Sequence, residues 1–372
     1  MGEIKKNILI TQDYNPIKGT GISVATFGIA KELSKLGCEV TFASYDTPEE
    51  SSSQKVEGVN VVRLQTIDDL KKAISVTDTV INVLSFSAMF KPFAVTVGFI
   101  CGEMNVRYIP WVHTTLQNSK FNNVVGINDY VQQTALYLTT EMLKGSLCPK
   151  IIAVSKAVKD SIVKLGIDPE KVMVIYNGLD TEKVLKDVKE IKEKTIDVIC
   201  VQRLSAEKGN VLTLAVFANL KRIVPNFKGV IVGEGGEKDL MLSLIKVFGL
   251  ENNVKIISNV INGELTKKIA CSKAFLSTSL TESFGLAVAE SMLIGTPVVV
   301  PNIEGPDELT ESGECGFVYE CGDTVNPAKI LGNIILGSNK GPLDLMVEEA
   351  MKKAQKEFDV KKQAQLFYQL AP

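Results

Sequence analysis

The chain has 372 residues, which at roughly 100 to 200 residues per domain predicts two domains and excludes a single small module. Its 41 Lys and Arg residues nearly balance its 43 Asp and Glu residues. The formal net charge of −2 provides no global attraction to nucleic acid or to an anionic membrane, although it does not exclude a local basic patch. Hydrophobic residues make up 45% of the chain and charged residues 23%, which is typical of a soluble globular protein and excludes a disordered one.

The first half of the chain alternates short β-branched runs with helical segments. The run KKNILIT precedes the helical segment SVATFGIAKELSKLG, and strand-like runs such as CEVTFAS, VNVVRL, DTVINVL and RYIPWVH follow, down to KIIAVS. This alternation predicts a parallel sheet covered by helices. The first residues, MGEIKKNILIT, run directly into a strand, so we expect no signal peptide for export.

The most apolar stretch, residues 80–101, is long enough to raise the question of a membrane-spanning helix. Asn82 and the pair Lys91-Pro92 interrupt it, and Arg107 follows closely. A buried strand over residues 79–83, followed by a packed helix over residues 86–103, fits this pattern better.

The composition changes near Thr181, where the segment TEKVLKDVKEIKEKT is charged and has no apparent apolar stripe. We predict that residues 181–195 are a linker between an N-terminal domain, residues 1–180, and a C-terminal domain, residues 196–355. The alternation of strands and helices restarts at IDVICVQ and continues to GFVYE. The whole pattern predicts an α/β fold with two facing doubly wound, Rossmann-like domains, and residues 356–372 as a helix that returns to the first domain.

The cysteines and the single histidine limit the chemistry that the chain can perform. The seven cysteines are scattered and include no C-x-x-C pair, so neither a disulfide framework nor a zinc site is indicated, and reduced thiols in the cytoplasm are expected. His113 is the only histidine, which excludes a His-rich metal site and a Ser-His-Asp triad elsewhere in the chain.

Ligands of open parallel sheets bind at the carboxyl ends of the strands, so the loops that follow strands are the candidate sites. The first such loop contains Gly19 and Gly21 just before a helix, where backbone amides can approach an anion; a plain turn is the alternative. This loop matches neither a P-loop nor a dinucleotide fingerprint. The run Gly233-Glu234-Gly235-Gly236 also fails the fingerprint because Lys238 replaces its third glycine, so a nicotinamide dehydrogenase is not expected.

Two cations flank the turn that follows the first strand of the second half. Arg203 and Lys208 stand in VQRLSAEKG, where a forked guanidinium and an ammonium could together neutralise a diphosphate. Solvated surface charges are the alternative interpretation, and the position at the end of a strand favours a functional one.

The most specific stretch is TESFGLAVAE, which contains Glu282 and Glu290. If the rise between them were helical, eight steps would separate the two carboxylates by about 12 Å, too far for a shared-proton dyad or a glycosidase pair. That span suits the distance from a sugar ring to the ribose of a nucleotide sugar, with the amides of residues 284–286 between them for a diphosphate. A capping carboxylate and an exposed helix glutamate are the structural alternatives.

These motifs resemble the retaining glycosyltransferases of the large family four, which have the GT-B fold. The resemblance covers nearly the whole chain and includes the signature E-x7-E in ESFGLAVAE, the following GTPVV, the segment RLSAEKG, the run GVIVGEGGEK and the NGLD that ends the first domain. In the first loop many relatives have consecutive glycines, whereas Lys18 precedes Gly19 here.

The resemblance implies a role for each matching residue. Arg203 and Lys208 would hold the donor diphosphate, Glu290 the ribose hydroxyls, and Glu282 a hydroxyl of the transferred sugar, while His113 would lie beside that sugar near the reacting centre. The phosphate cradle would be completed by residues Gly19, Thr20, Phe284, Gly285 and Leu286.

The sequence thus predicts a retaining glycosyltransferase that uses a UDP-, GDP- or ADP-sugar, with no cofactor and no metal ion. Its acceptor is a saccharide, lipid, small molecule or protein, no nucleic acid partner is expected, and the location is cytoplasmic or peripheral on the inner face of a membrane. A nucleotide-sugar epimerase or hydrolase of the same fold is the alternative, although one histidine provides little acid and base chemistry for it. A non-catalytic nucleotide-sugar-binding protein is the third interpretation.

Overall fold

A computed structural model describes residues 5–13, 21–45, 53–85, 92–116, 129–145, 148–258, 260, 262–338 and 340–371. Among these residues the chain divides into two compact units. The first unit contains the residues up to Asp180 and those from Phe358 onward, and the second contains Thr181–Glu357.

The first unit is built on an eight-stranded sheet. Its order is β3-β4-β2-β1-β5-β6-β7-β8, and every pairing is parallel except that of β3 with β4. The central strands are buried along almost their whole length, which is why their sequences are continuous apolar runs. The strands are β1 (Asn7–Gln12), β2 (Glu39–Ser44), β3 (Ser53–Val56), β4 (Val59–Arg63), β5 (Thr79–Leu84), β6 (Arg107–Val112), β7 (Ile151–Ala153) and β8 (Val172–Val174).

Six described helices belong to the first unit. They are α1 (Gly21–Lys35), α2 (Ile67–Ser75), α3 (Pro92–Met104), α4 (Asp129–Lys144), α5 (Lys156–Val163) and α14 (Val360–Leu370), the last numbered in chain order. The terminal helix α14 packs against α1, and its Phe367 ring lies 4.5 Å from the Trp111 ring, centroid to centroid. Both rings are fully buried, so the end of the chain contributes to the core of this unit.

The second unit contains a six-stranded, wholly parallel sheet in the order β11-β10-β9-β12-β13-β14. This is the doubly wound order, in which the chain starts at the central strand β9, builds outward on one side and then returns to build outward on the other. The strands are β9 (Ile196–Val201), β10 (Gly229–Val232), β11 (Val254–Ile257), β12 (Ser272–Leu276), β13 (Val298–Pro301) and β14 (Phe317–Tyr319).

Helices cover this second sheet and bury a core of its own. That core includes Leu214, Phe217, Phe227, Ile231 and Leu331. The helices are α6 (Thr181–Val188), α7 (Asn210–Ile223), α8 (Lys238–Val247), α9 (Asn262–Ala270), α10 (Leu286–Ile294), α11 (Glu304–Leu309), α12 (Asn326–Ile335) and α13 (Lys340–Glu357).

The segment predicted as a linker is partly structured. Residues 181–188 form α6, which packs against α9 and α10 and therefore belongs to the second unit. The physical reason is that Val184, Leu185 and Val188 are partly buried, so three apolar residues suffice to attach an otherwise charged helix.

The apolar stretch forms the strand β5 and the helix α3, as the sequence predicts, although α3 begins at Pro92 and the expected start at residue 86 lies outside the described residues. Across the described helices, none combines the length and the apolar character that crossing a membrane would require.

Candidate functional site

The candidate site of the second unit lies where the direction of sheet building reverses. β9 and β12 are adjacent in the sheet but are separated by two intervening strands in the chain, so the loops after them diverge from a common point at the carboxyl edge. Ligands of doubly wound sheets bind at such a switch point. The loop after β9 carries Arg203 and Lys208, and the loop after β12 carries Glu282.

Gly209 allows these two loops to approach each other closely. It has a φ of +63°, and a Cβ at this position would lie 2.2 Å from the carbonyl oxygen of Thr278. The Thr278 hydroxyl donates to the carbonyl oxygens of Lys208 and Gly209, at 3.2 and 3.1 Å. The backbone that carries Lys208 is therefore held directly against the end of the β12 strand.

The predicted cation Arg203 lies at the outer side of the same loop. Its guanidinium is 2.9 Å from Glu207 Oε1, and its side chain is 60% exposed. Glu207 is buried and also accepts a 2.6 Å hydrogen bond from the Ser205 hydroxyl. This arrangement directs the guanidinium fork toward solvent while one end of it is fixed.

Lys208 and Glu282 form the central contact of the site. The Lys208 ammonium lies 2.5 Å from Glu282 Oε2, and the two side chains are only 14% and 28% exposed. The contact joins residues 74 positions apart in the chain. Charge-assisted hydrogen bonds of this kind are strong and orient both groups, so the ammonium is held at a defined point of the switch region.

Helix α10 begins immediately after this pair. Gly285 caps it with a φ of +99°, and its carbonyl accepts the first helical bond from the Ala289 amide, at 3.0 Å. The amides of the first turn have no acceptor within the helix and carry its partial positive charge. Phe284 is buried, and its backbone is covered by Gly305, whose Cβ would meet it at 2.5 Å.

The helical rise assumed between Glu282 and Glu290 is wrong for the first four of the eight residue steps. The helix starts only at Leu286, and residues 282–285 form a non-helical loop, so a helical rise applies to the last four steps, about 6 Å. The physical reason is Gly285, whose left-handed conformation ends the loop and cannot lie inside a right-handed helix.

Glu290 lies on α10 and is partly buried. Its Oε1 accepts a 2.6 Å hydrogen bond from the hydroxyl of Thr266 on α9. Burial raises the pKa of the Glu290 carboxyl above its usual value, and the hydrogen bond from Thr266 acts in the opposite direction. The sequence alone does not single out Thr266, because no spacing within GELTKKIA points to a residue 24 positions away.

His113 lies in the first unit, directly after β6. It is buried, and its ring lies 4.8 Å from the Trp111 ring, centroid to centroid. Burial lowers the pKa of His113 to about 3, so the imidazole is neutral at pH 7. Its Nε2 has no hydrogen-bond partner within the described part of the chain.

Two further polar residues accompany His113 at the edge of the first sheet. Ser85 follows β5, whose last residue is in register with the residue before His113, and the Ser85 hydroxyl donates to Asp13 Oδ2 at 3.2 Å. Asp13 follows β1, so three adjacent strands each end in a buried polar side chain. Asp13 and Ser85 are not among the residues predicted from the sequence, although both directly follow predicted strands.

The structure thus brings Lys208, Glu282 and the start of α10 together, with Arg203 on the same loop as Lys208. The predicted residues Gly19 and Thr20 lie outside the described residues. No group of three or more His, Cys, Asp or Glu side chains that could hold a metal ion occurs within the ranges that the structure describes.

Two family models match the chain. Residues 19–183 match Glycosyltransferase Family 4, and residues 181–352 match Glycosyl transferases group 1. The boundary between the two matches falls where the first compact unit passes into the second. Together the matches span nearly all of the chain.

Similar sequences carry glycosyltransferase or synthase names. An uncharacterized glycosyltransferase of Methanocaldococcus jannaschii is 26% identical over 339 residues, which is 82% of each chain. A 4-alpha-N-acetylgalactosaminyltransferase of Campylobacter jejuni, whose name specifies a diphospho-undecaprenol substrate, is 30% identical over 51% of this chain and 53% of its own. Glycogen synthase of Mycobacterium tuberculosis is 27% identical over 45% of this chain and 40% of its own.

Solved structures share the fold. Anabaena HepE in complex with UDP-glucose superimposes with a TM-score of 0.77 over 98% of both chains, at 22% identity. Sucrose-phosphate synthase from Thermosynechococcus elongatus superimposes with a TM-score of 0.75 over 98% of both chains, at 14% identity. The two-unit α/β architecture with parallel sheets is therefore the GT-B architecture that the sequence predicts.

Proposed function

We propose that this glycosyltransferase, whose residues 181–352 match Glycosyl transferases group 1 and whose residues 19–183 match Glycosyltransferase Family 4, transfers a sugar from a nucleoside diphosphate sugar to an acceptor hydroxyl. The transfer retains the anomeric configuration and uses no metal ion. The observation that carries the proposal is the Lys208–Glu282 pair next to the start of α10, at the switch point of the second sheet. An ammonium and a helix N-terminus are both groups that bind phosphate.

In this proposal each site residue of the second unit has one role. The Lys208 ammonium and the Arg203 guanidinium bind the diphosphate, together with the amides of residues 284–286. Glu282 accepts a hydrogen bond from a hydroxyl of the transferred sugar, and Glu290 accepts hydrogen bonds from the ribose. The complex of a neighbouring GT-B structure with UDP-glucose supports a nucleotide sugar as the donor.

The chemical step breaks the bond between the anomeric carbon and the phosphate oxygen and forms a bond to the acceptor oxygen on the same face. The acceptor hydroxyl loses its proton to the departing phosphate oxygen, so atoms and charge balance without a protein nucleophile. The negative charge that develops on the diphosphate is stabilised by Lys208, Arg203 and the amides of the α10 N-terminus. Preorganised donors of this kind supply several kcal/mol, about 3 for a single donor, without a metal ion.

Residues of the first unit complete the proposal. We assign Gly19 and Thr20 to phosphate binding and His113 to the neighbourhood of the transferred sugar. Since the pKa of His113 is lowered to about 3, its imidazole would act there as a neutral hydrogen-bonding group and not as a cation. The proposed location is the cytoplasm, at the inner face of a membrane if the acceptor is a lipid.

The first experiment identifies the donor and the product. A thermal-shift panel of UDP-, GDP- and ADP-sugars selects the donor, since a ligand that binds only the folded state raises the melting temperature. NMR of the product then reports the anomeric configuration, and assays with EDTA report metal dependence. A glycosylated acceptor supports the proposal, whereas an isomerised sugar, a hydrolysed sugar or binding alone contradicts it in favour of an epimerase, a hydrolase or a binding protein.

The second experiment tests the residue assignment. We expect Lys208→Ala and Glu282→Ala to lower kcat by at least about 100-fold, because each removes a group that contacts the reacting part of the donor. The matched controls are Lys352→Ala and Glu349→Ala, which break an exposed ion pair of 2.9 Å on α13 in the same unit. Full activity of both site variants would refute the assignment.

A further inference from the structure

We propose that Thr266 is a positioning residue of the ribose subsite: its hydroxyl orients the Glu290 carboxylate to accept hydrogen bonds from the ribose hydroxyls of the donor. The inference rests on the proposed function, because Glu290 meets ribose only if a nucleotide binds. The group recognised is a cis-diol, and Thr266 acts through Glu290 without touching the ligand.

The geometry of the contact assigns this role. Thr266 lies on α9, Glu290 lies on α10, and the two helices pack against each other. The Thr266 hydroxyl is 2.6 Å from Glu290 Oε1, and Thr266 is only 4% exposed, whereas Glu290 is partly exposed. The threonine is therefore more deeply buried than the glutamate that it contacts, and Glu290 keeps an exposed part that a ligand can reach.

The hydrogen bond also affects the ionisation of the carboxyl group. An ionised carboxylate accepts hydrogen bonds at both oxygens and accepts them more strongly than the neutral acid, so it is the better partner for two ribose hydroxyls. Burial favours the neutral acid at this position, and a hydroxyl that donates to the carboxylate favours the ionised form. Thr266 thus orients the Glu290 carboxyl by a 2.6 Å contact and, against the effect of burial, favours its ionised form.

A purely structural contact between α9 and α10 is the competing explanation, and the chain offers a matched control for it. Thr296 is also buried, and its hydroxyl donates to the carbonyl of Ile269 at the end of α9, at 2.9 Å. Thr296→Val therefore removes a comparable buried hydrogen bond that involves the same helix but not Glu290.

The experiment measures binding of the full-length protein by calorimetry. The probe is whichever of UDP, GDP or ADP binds most tightly, together with its 2′,3′-dideoxy counterpart, which lacks both ribose hydroxyls. We expect Thr266→Val to weaken binding of the ribonucleotide about tenfold and to change binding of the dideoxynucleotide by less than about twofold. Thr266→Ser, which keeps the hydroxyl, and Thr296→Val should both bind like the unmodified protein.

A double-mutant cycle completes the test. In a Glu290→Gln background, Thr266→Val should have no further effect on the ratio of the two affinities, because it acts only through that carboxylate. If Thr266→Val weakens the binding of both nucleotides equally, or weakens neither, the ratio of the two affinities is unaltered. That result would overturn the role of Thr266 while leaving the proposed function intact. Failure of the unmodified protein to bind any of the three nucleotides would overturn the proposed function, and this inference with it.

Discussion

Lys208 and Glu282 stabilise each other in the two loops at the switch point of the second sheet. Each side chain is largely withdrawn from solvent, and a lone charge in such a place would be costly. The ion pair satisfies both groups, and it fixes the ammonium next to Glu282, which precedes the helix α10 at the proposed diphosphate site. The sequence predicts each residue as a ligand group, but their direct contact is visible only in the structure.

At the residue scale, the single histidine allows its effect on the pH dependence of stability to be measured separately. His113 has an ordinary pKa of about 6.5 when the chain is unfolded, and burial lowers it to about 3 in the folded chain. The unfolded chain therefore binds one more proton than the folded chain between these values, so the free energy of unfolding falls as pH drops from 6.5 toward 3. Above pH 6.5 this contribution is constant.

We expect the titration of His113 to lower the free energy of unfolding by about 2 kcal/mol when the pH is lowered from about 7.5 to about 5. The measurement is urea unfolding of the unmodified protein and of His113→Gln at both values. Since the chain has no other histidine, the variant serves as the control for every carboxylate that titrates in the same range. The same loss of stability in both proteins would show that His113 is accessible to protons when the chain is folded.

At the scale of elements, the short helix α11 supports the loop that carries Glu282. The Gly305 amide donates to the carbonyl of Glu282 at 2.9 Å, and no side chain fits at position 305 because the Phe284 backbone lies against it. The helix α11 therefore positions the Glu282 loop through backbone contacts, and none of its side chains is identified in the site. A glycine preceding a proline carries no such information in the sequence.

Gly305→Ala is expected to lower kcat about 100-fold, since its new methyl must displace the backbone at residue 284, and misplacement of a reacting group by about 1 Å has this effect. Stability should fall by about 1 to 3 kcal/mol, as overpacking usually costs. Gly341→Ala, where a Cβ meets nothing within 4 Å, is the control. Steady-state kinetics and thermal melting measure both effects; unaltered kinetics in Gly305→Ala would contradict the support that we assign to α11.

At the scale of the whole molecule, the two units use the chain differently. The described part of the second unit comes from one stretch, Thr181–Glu357, whereas the first needs the residues from Phe358 onward. Leu179 exchanges backbone hydrogen bonds with Phe358 and Val360. Gly178 leaves room for Val360, because a Cβ at position 178 would lie only 2.7 to 2.9 Å from Val360 atoms. The end of the chain is thus built into the first unit.

We therefore expect residues 181–357, expressed alone, to fold and to bind a nucleoside diphosphate, because this piece carries its own core and the proposed donor site. Residues 1–180 alone should not unfold cooperatively, because they lack Phe367, and loss of such a buried ring costs about 3 to 5 kcal/mol. Circular dichroism and thermal melting measure both. Addition of residues 358–372 through a short linker is the control, and a cooperative transition in residues 1–180 without it would contradict the prediction.

Much of this architecture follows from local patterns. Parallel strands buried on both faces must be apolar runs, and helices that cover them must be amphipathic, so the alternation of the two is readable along the chain. The segment 181–188 is the exception, because an apolar stripe of three residues is too weak a signal when charged residues surround it. The start of α10 is a second exception, since the sequence does not indicate that a glycine inside an apolar run adopts a left-handed conformation.

The sequence by itself determined the fold class, the glycosyltransferase motifs and the residue types that could bind a diphosphate and a sugar. Only the tertiary structure decided which of them meet: Lys208 with Glu282, Thr266 with Glu290, and Ser85 with Asp13. The physical reason is range. Periodicity and capping act within a few residues, whereas these contacts join residues 24 to 74 positions apart. Two of them join the loops after adjacent strands, and the third joins two packed helices.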